Sequence, residues 1–311
     1  MKIPLIATVG PTASGKTSLS IDLALELNGE IVSCDSMQIY KGMHIASAAP
    51  DAEEKKGIPH HLIEFLEPTE TFSVADYVQL GHQKINEVIS RGKQPILVGG
   101  TGLYFNSLVD NLSFVEEKVD EDLRLSLEAE FDKIGGEEML KKLEEFDSDI
   151  AKTLHPNNKK RIIRAFEIYK TTGKTMSQQQ KESRSVPSPY KPYFIGLAFK
   201  DRQLLYDRIE KRVDIMLQKG ILEEARKAYN MGGNKTAVQA IGHKEFFEFF
   251  EGKESLEEAV LKLKTETRHY AKRQLTWFNK DERINWIYLD ETENPKEEAI
   301  KILERSGYFE K

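Results

Sequence analysis

The chain has 311 residues, 31% charged and 39% hydrophobic, with a net charge of −6 and a single cysteine, Cys34. No apolar run approaches the ~18 residues that cross a bilayer, and one cysteine excludes an internal disulfide or a multi-cysteine zinc site. The balance is that of an ordinary globular protein with room for one large core or two domains, and it fits a reducing cytoplasm.

The first apolar run, Ile3–Val9, reads as a buried strand. It leads without a charged leader into residues 10–17: Gly10, Pro11, Thr12, Ala13, Ser14, Gly15, Lys16 and Thr17. That stretch fits GxxxxGK[ST], and a helical run at 19–27 follows it, as a phosphate loop requires. The glycines permit a tight turn whose N–H groups point inward to a diphosphate at a helix N-terminus. Lys16 can reach the outer phosphate and the Thr17 hydroxyl can ligate Mg²⁺. The loop alone does not say which pyrophosphoryl compound binds or which bond breaks.

A second strand is expected at 30–33, and Asp35 lies just past its end. In open parallel sheets that edge is where ligands bind, so Asp35 is either a proton acceptor or ligand there, or a turn residue. A helix is expected over Val74–Ser90 and a third strand over 95–99. The run Gly99-Gly100-Thr101-Gly102 then places Thr101 at the same edge, as a ligand contact or a helix cap. That strand does not end in the Asp that a nucleotide hydrolase uses to hold Mg²⁺, which tilts the reading toward group transfer.

Residues 115–185 are charged and helical, broken at Gly135-Gly136 and Gly173; Pro187, Pro189 and Pro192 mark the return. Residues 115–150 carry a net −9 and 152–212 a net +10, a segregation that suits either a polyanion or two faces that neutralise each other. Strands are expected at 193–199 and 284–289, with a helical stretch over 201–280 and a final helix over Pro295–Arg305. Within the 201–280 stretch Arg208 and Arg212 share a face beside Leu205, Ile209, Val213 and Met216, so that one, preferably Arg212, can clamp a diphosphate. His60-His61 is set aside as a metal site for want of a third ligand, and Trp277 is expected to pack in the core rather than stack on a base. The fold expected is α/β: a P-loop NTPase-like parallel sheet flanked by helices, formed by 1–114 and 193–311, with a helical insertion at 115–192.

Taken in order, 10–17 (GPTASGKT), 35–40 (DSMQIY) with Gly42 and Met43, 57–62 (GIPHHL) and 99–104 (GGTGLY) resemble the bacterial tRNA dimethylallyltransferase family, also called tRNA isopentenyltransferases. The resemblance continues through 161–167 (RIIRAFE) with Tyr169, 239–245 (QAIGHKE) and 273–278 (RQLTWF), and so spans the chain. Two departures stand out: His243 where the family usually has Tyr, and 46–50 where it has a GTAKP-like run, with Ser47 keeping the hydroxyl and Ala49 replacing the Lys.

The resemblance implies transfer of a dimethylallyl group from dimethylallyl diphosphate to N6 of the adenosine 3′ of the anticodon in tRNA. The phosphate loop then holds the leaving diphosphate with Mg²⁺. Lys16, Asp35 and Thr101 would carry the catalysis, with Asp35 as base and Thr101 positioning the amino group or the bridging oxygen. Asp35, Ser36, Met37, Gln38 and Thr101 would line the path of the target base. Lys159, Lys160, Arg161 and Arg164, with Arg124, would contact the tRNA, and a monomer suffices. Rival readings are an adenylate prenyltransferase using AMP or ATP, a small-molecule kinase, and a non-catalytic RNA-binding protein.

Overall fold

The computed structural model describes residues 2–114, 120–232 and 236–310. It divides into two compact units, Met1–Val109 with Ser188–Lys311, and Asp110–Pro187, where the sequence suggested 115–192. Glu116, Glu117 and Lys118 of the acidic stretch lie outside the described residues. No described helix is long and apolar enough to cross a membrane.

The first unit runs β1 (Ile3–Val9), α1 (Lys16–Glu26), β2 (Gly29–Cys34), α2 (His44–Ser47), β3 (His60–His61), α3 (Val74–Ser90), β4 (Gln94–Gly99) and α4 (Gly102–Val109). The second unit holds α5 (Glu121–Glu144), α6 (Ser148–Ala151), α7 (Lys159–Thr172) and α8 (Met176–Ser183). The first unit resumes with β5 (Tyr190–Ala198), α9 (Arg202–Gln218), α10 (Ile221–Met231), α11 (Phe247–Phe250), α12 (Leu256–Phe278), β6 (Ile284–Tyr288) and α13 (Pro295–Arg305).

The strands form one parallel sheet ordered β3-β2-β4-β1-β5-β6. Because successive side chains point to opposite faces, β1 sends Leu5, Ala7 and Val9 to one side and Ile6 to the other. The first face is covered by α3 and α4 through Tyr77, Ile85, Phe105 and Leu108, the second by α1 and α13 through Leu19, Leu23, Ala299 and Leu303. Burial on both faces explains why the strands read as continuous apolar runs.

The sequence identified five of the six strands. It missed β3, a two-residue edge strand too short for any periodicity. There His61 Nε2 meets Glu30 Oε2 at 2.7 Å and His60 Nδ1 meets Ile58 O at 2.8 Å. The expected strand at 193–199 begins earlier, at Tyr190, whose partner is Ile3. Pro192 is tolerated because β6 pairs with β5 only from Phe194 onward, so no neighbour on that side needs its missing N–H.

In the second unit Gly135 adopts φ 80°, splitting α5 into two helical segments at the breaker the sequence marked. Its core is a separate cluster built on Leu127, Met139, Leu143, Ile162 and Phe166.

Candidate active site

All six strands are parallel, so the segments that follow β1, β2 and β4 emerge at one edge of the sheet, from three adjacent strands. After β1 the chain turns through Gly10 at φ 146°, where a Cβ would stand 2.4 Å from Leu197 O, and through Gly15 at φ 87°, the N-cap of α1. Ala13 takes the left-handed region at φ 63°, a conformation that costs an alanine about 1 kcal/mol. Its carbonyl accepts Arg208 Nε at 2.9 Å, which anchors α9 to this loop. Lys16 arches back to donate to Pro11 O at 2.7 Å. The buried Ser14 hydroxyl has no hydrogen-bond partner among the described residues.

After β2, Asp35 Oδ1 accepts Met37 N–H at 2.8 Å and Gln38 N–H at 3.3 Å, leaving Oδ2 outside the turn. Asp35 therefore serves the turn with one oxygen while the other remains available for chemistry. Thr101 Oγ1 accepts Ser36 N–H at 3.0 Å, joining the segments beyond β2 and β4, while its carbonyl accepts Phe105 N–H at 3.0 Å at the start of α4. The Gln38 amide is engaged on both sides: it accepts Ser33 Oγ at 2.9 Å and donates to Ala48 O at 3.3 Å. Met37 packs against Ile39, Tyr40 and Met43. Cys34 is buried at the end of β2, and burial pushes its thiol far above the usual range, so it is an inert core residue.

Charges converge here. Burial, reinforced by Arg212 and opposed by Asp35, pulls the Lys16 ammonium down to about 7. Burial likewise lowers Arg212, with Asp35 and then Tyr270 pulling the other way. Arg208 touches the loop directly and packs over Phe199 at 5.5 Å, while Arg212 faces Lys16 and Asp35 electrostatically. The neighbouring carboxylates are engaged elsewhere: Asp207 accepts from Gln203 and Glu210 pairs with Arg268.

Two residues on α12 join the site without having been singled out. Burial and then Asp35 raise the Tyr270 hydroxyl, with Thr101 pulling the other way. Gln274 accepts Thr12 N–H at 2.7 Å and donates to Gly100 O at 3.0 Å. A signal existed for it: Thr267, Ala271, Gln274 and Phe278 form the buried stripe of α12, and a long amide on such a stripe needs partners. Trp277 corrects the expectation of core packing. It is 43% exposed, its indole lying where a Cβ on Gly102 would stand, because position 277 falls beside that stripe.

The two departures from the family pattern turn out to be neighbours. His243 is fully buried and meets Glu224 Oε1 at 2.9 Å, and Glu224 accepts the N–H groups of Ile45 and Ala46 at 2.9 Å each. Glu224 thus joins His243 to the main chain at the start of the 46–50 segment.

In the second unit, Glu167 holds Arg124 in a two-pronged pair and lies 3.6 Å from Arg164. Lys159 pairs with Asp132. Part of the charge segregation is therefore neutralised within the unit. Lys160 and Arg161 are exposed in the first turn of α7, where no acidic residue stands and Asn158 makes no side-chain cap. Cations there oppose the helix dipole, an arrangement that favours an arriving anion.

Residues 38–281 match the family described as IPP transferase. The tRNA dimethylallyltransferase of Acetivibrio thermocellus is 49% identical over 307 residues, covering 98% of this chain and 96% of that protein. That of Halalkalibacterium halodurans is 46% identical over 310 residues, covering 99% and 97%. Among solved structures, the full-length tRNA isopentenylpyrophosphate transferase of Bacillus halodurans superposes with a TM-score of 0.71 at 43% identity, covering all of both chains. A eukaryotic dimethylallyltransferase acting on tRNA superposes with a TM-score of 0.82 at 29% identity, covering 99% of this chain and 79% of that one. On its sequence and on its parallel-sheet fold alike, this chain belongs to the IPP transferase family.

Proposed function

We propose that the chain transfers the dimethylallyl group of dimethylallyl diphosphate to N6 of the adenosine 3′ of the anticodon in tRNA, releasing diphosphate. The observation that carries this reading is the placing of a phosphate loop, Asp35 and Thr101 at the ends of three adjacent strands, with Lys16, Arg212 and Asp35 within electrostatic reach.

The bond that breaks joins the allylic carbon to the bridging oxygen, and the electron pair leaves with diphosphate. Lys16, the loop N–H groups and the two arginines stabilise that charge as it develops. The adenine amino group is a weak nucleophile, and its proton becomes acidic as the new carbon–nitrogen bond forms. Asp35 Oδ2, outside the turn, takes that proton. Thr101, held by Ser36, aligns the amino group or the bridging oxygen.

Thr17 follows Lys16 in the first turn of α1, and its hydroxyl is the hard oxygen donor that Mg²⁺ prefers beside phosphate oxygens. The donor chemistry fits, and when bound the ion supplies further neutralisation of the leaving group. Extracting the target base from its stack costs a few kcal/mol, offset by contacts along Asp35, Ser36, Met37, Gln38 and Thr101. Lys160 and Arg161 contact the RNA backbone, with Lys159, Arg164 and Arg124 adding charge beside them. The protein acts as a monomer in the cytoplasm, where its tRNA substrate resides.

Labelled dimethylallyl diphosphate offered with tRNA, with AMP or alone separates the readings. Label is expected in tRNA only, at the adenosine 3′ of the anticodon. Label entering AMP but not tRNA overturns the proposal in favour of an adenylate prenyltransferase, and turnover that requires ATP favours a kinase.

A further inference from the structure

Gln274 is 5% exposed, and both ends of its amide are spoken for by main chain: Thr12 N–H at 2.7 Å and Gly100 O at 3.0 Å. Thr12 belongs to the phosphate loop. Gly100 precedes Thr101, whose hydroxyl holds Ser36, the residue after Asp35. A path of hydrogen bonds, completed by the peptide link from Gly100 to Thr101, therefore runs from the diphosphate side of the site to its acceptor side through one side chain. The approach is close, since a Cβ at Gly100 would stand 2.0 Å from Gln274 Nε2. The amide supplies a donor and an acceptor on one planar group; an ionised carboxylate keeps the acceptor and loses the donor.

We propose that Gln274 is a positioning residue that couples occupancy of the phosphate loop to the placing of Thr101. Naming the two sides as donor and acceptor sides rests on the function proposed above; the coupling does not. When diphosphate sets the Thr12 segment, the amide carries that setting to Gly100, and the acceptor loop is held before the base arrives.

The test pairs Gln274→Glu with Gln274→Met, using inorganic diphosphate as the probe and hydrogen exchange as the readout. In the unchanged protein, diphosphate is expected to slow exchange in both 10–17 and 100–104. In either variant, protection of 10–17 remains and protection of 100–104 is lost. Protection of 100–104 that survives in both variants, or is absent from the unchanged protein, overturns the coupling. In the transfer assay Gln274→Glu keeps its Thr12 contact, so KM for dimethylallyl diphosphate holds within about twofold while kcat falls about tenfold, the order expected for one lost buried hydrogen bond. Lowering the pH protonates that carboxyl and restores a donor toward Gly100 O, so activity relative to the unchanged protein rises; a ratio constant with pH counts against the proposal. If the unchanged protein binds diphosphate and shows the two-loop protection but transfers nothing to tRNA, the function fails and the coupling stands.

Discussion

The segments at the sheet edge and the first turn of α7 both offer cations to an anion, yet they hold them differently. Lys16 donates to Pro11 O, Arg208 donates to Ala13 O, and Asp35 and Thr101 are fixed by main-chain donors. Lys160 and Arg161 are exposed, on a helix start with no acidic residue in its first turn. A group that must meet charge developing on one oxygen has to be oriented beforehand, because reorganisation would add to the barrier. A group that meets a phosphate backbone needs only its charge, since such contacts position the nucleic acid without reading it. Order at the edge and freedom on α7 therefore match two tasks, chemistry and docking.

The sharpest way to break that division is Asp35→Asn. Asparagine keeps an acceptor for the Met37 and Gln38 N–H groups, so the turn survives, but it cannot take a proton. A fall in kcat of about 10²- to 10⁴-fold is expected, with tRNA affinity nearly unchanged. Titration of catalytically idle variant with tRNA checks the second half. If affinity falls in parallel with kcat, Asp35 belongs to docking and the contrast between the two regions fails.

A smaller effect tests the electrostatics of the edge. Lys16 sits at about 7 because burial and Arg212 outweigh Asp35. Bound diphosphate favours the ammonium and raises it, so binding takes up a proton when the pH is above about 7. Affinity for diphosphate should then fall as pH rises past 7, by at most about tenfold per unit, and should be insensitive to this group below it. Calorimetry between pH 6 and 9, in two buffers of different ionisation enthalpy, measures the uptake. Lys16→Met is the reference, because diphosphate itself titrates in this range. Equal pH dependence in the two proteins means that Lys16 is charged throughout.

What was legible in the sequence follows from how far apart the cooperating residues lie. The phosphate loop is eight consecutive residues between a strand and a helix, so its chemistry is local and visible. Asp35 and Thr101 were visible because each follows an apolar strand, and parallel strands place their ends together. Gln274 and Tyr270 were not singled out, since the bond from Thr12 to Gln274 spans 262 positions and depends on how α12 packs. The two-residue β3 carried no pattern at all. In the second unit the charge imbalance was legible, but its pairing was not: that Glu167 gathers Arg124 and Arg164, leaving Lys160 and Arg161 exposed, depends on the packing of α5 against α7.

The first turn of α7 gives the smallest effect, and its value lies in a difference of sign. Replacing Lys160 and Arg161 with alanine removes two cations from a helix start whose dipole is already positive. If they serve only the fold, the double variant gains stability, by roughly 0.3–1 kcal/mol for each charge removed, and tRNA binding does not change. If they serve docking, the same gain appears together with weaker tRNA binding. The salt dependence then flattens by about 0.7 in log–log slope for each lost contact to single-stranded backbone, or about 1.4 in all. Thermal unfolding and tRNA binding over a salt series, made on the same preparation, read the two together. We expect the gain in stability with the loss in slope. An unchanged slope assigns these cations to a solvated face and leaves RNA docking to other parts of the chain. A loss of stability would show that their charge is already answered within the fold, and the contrast with the sheet edge would not hold.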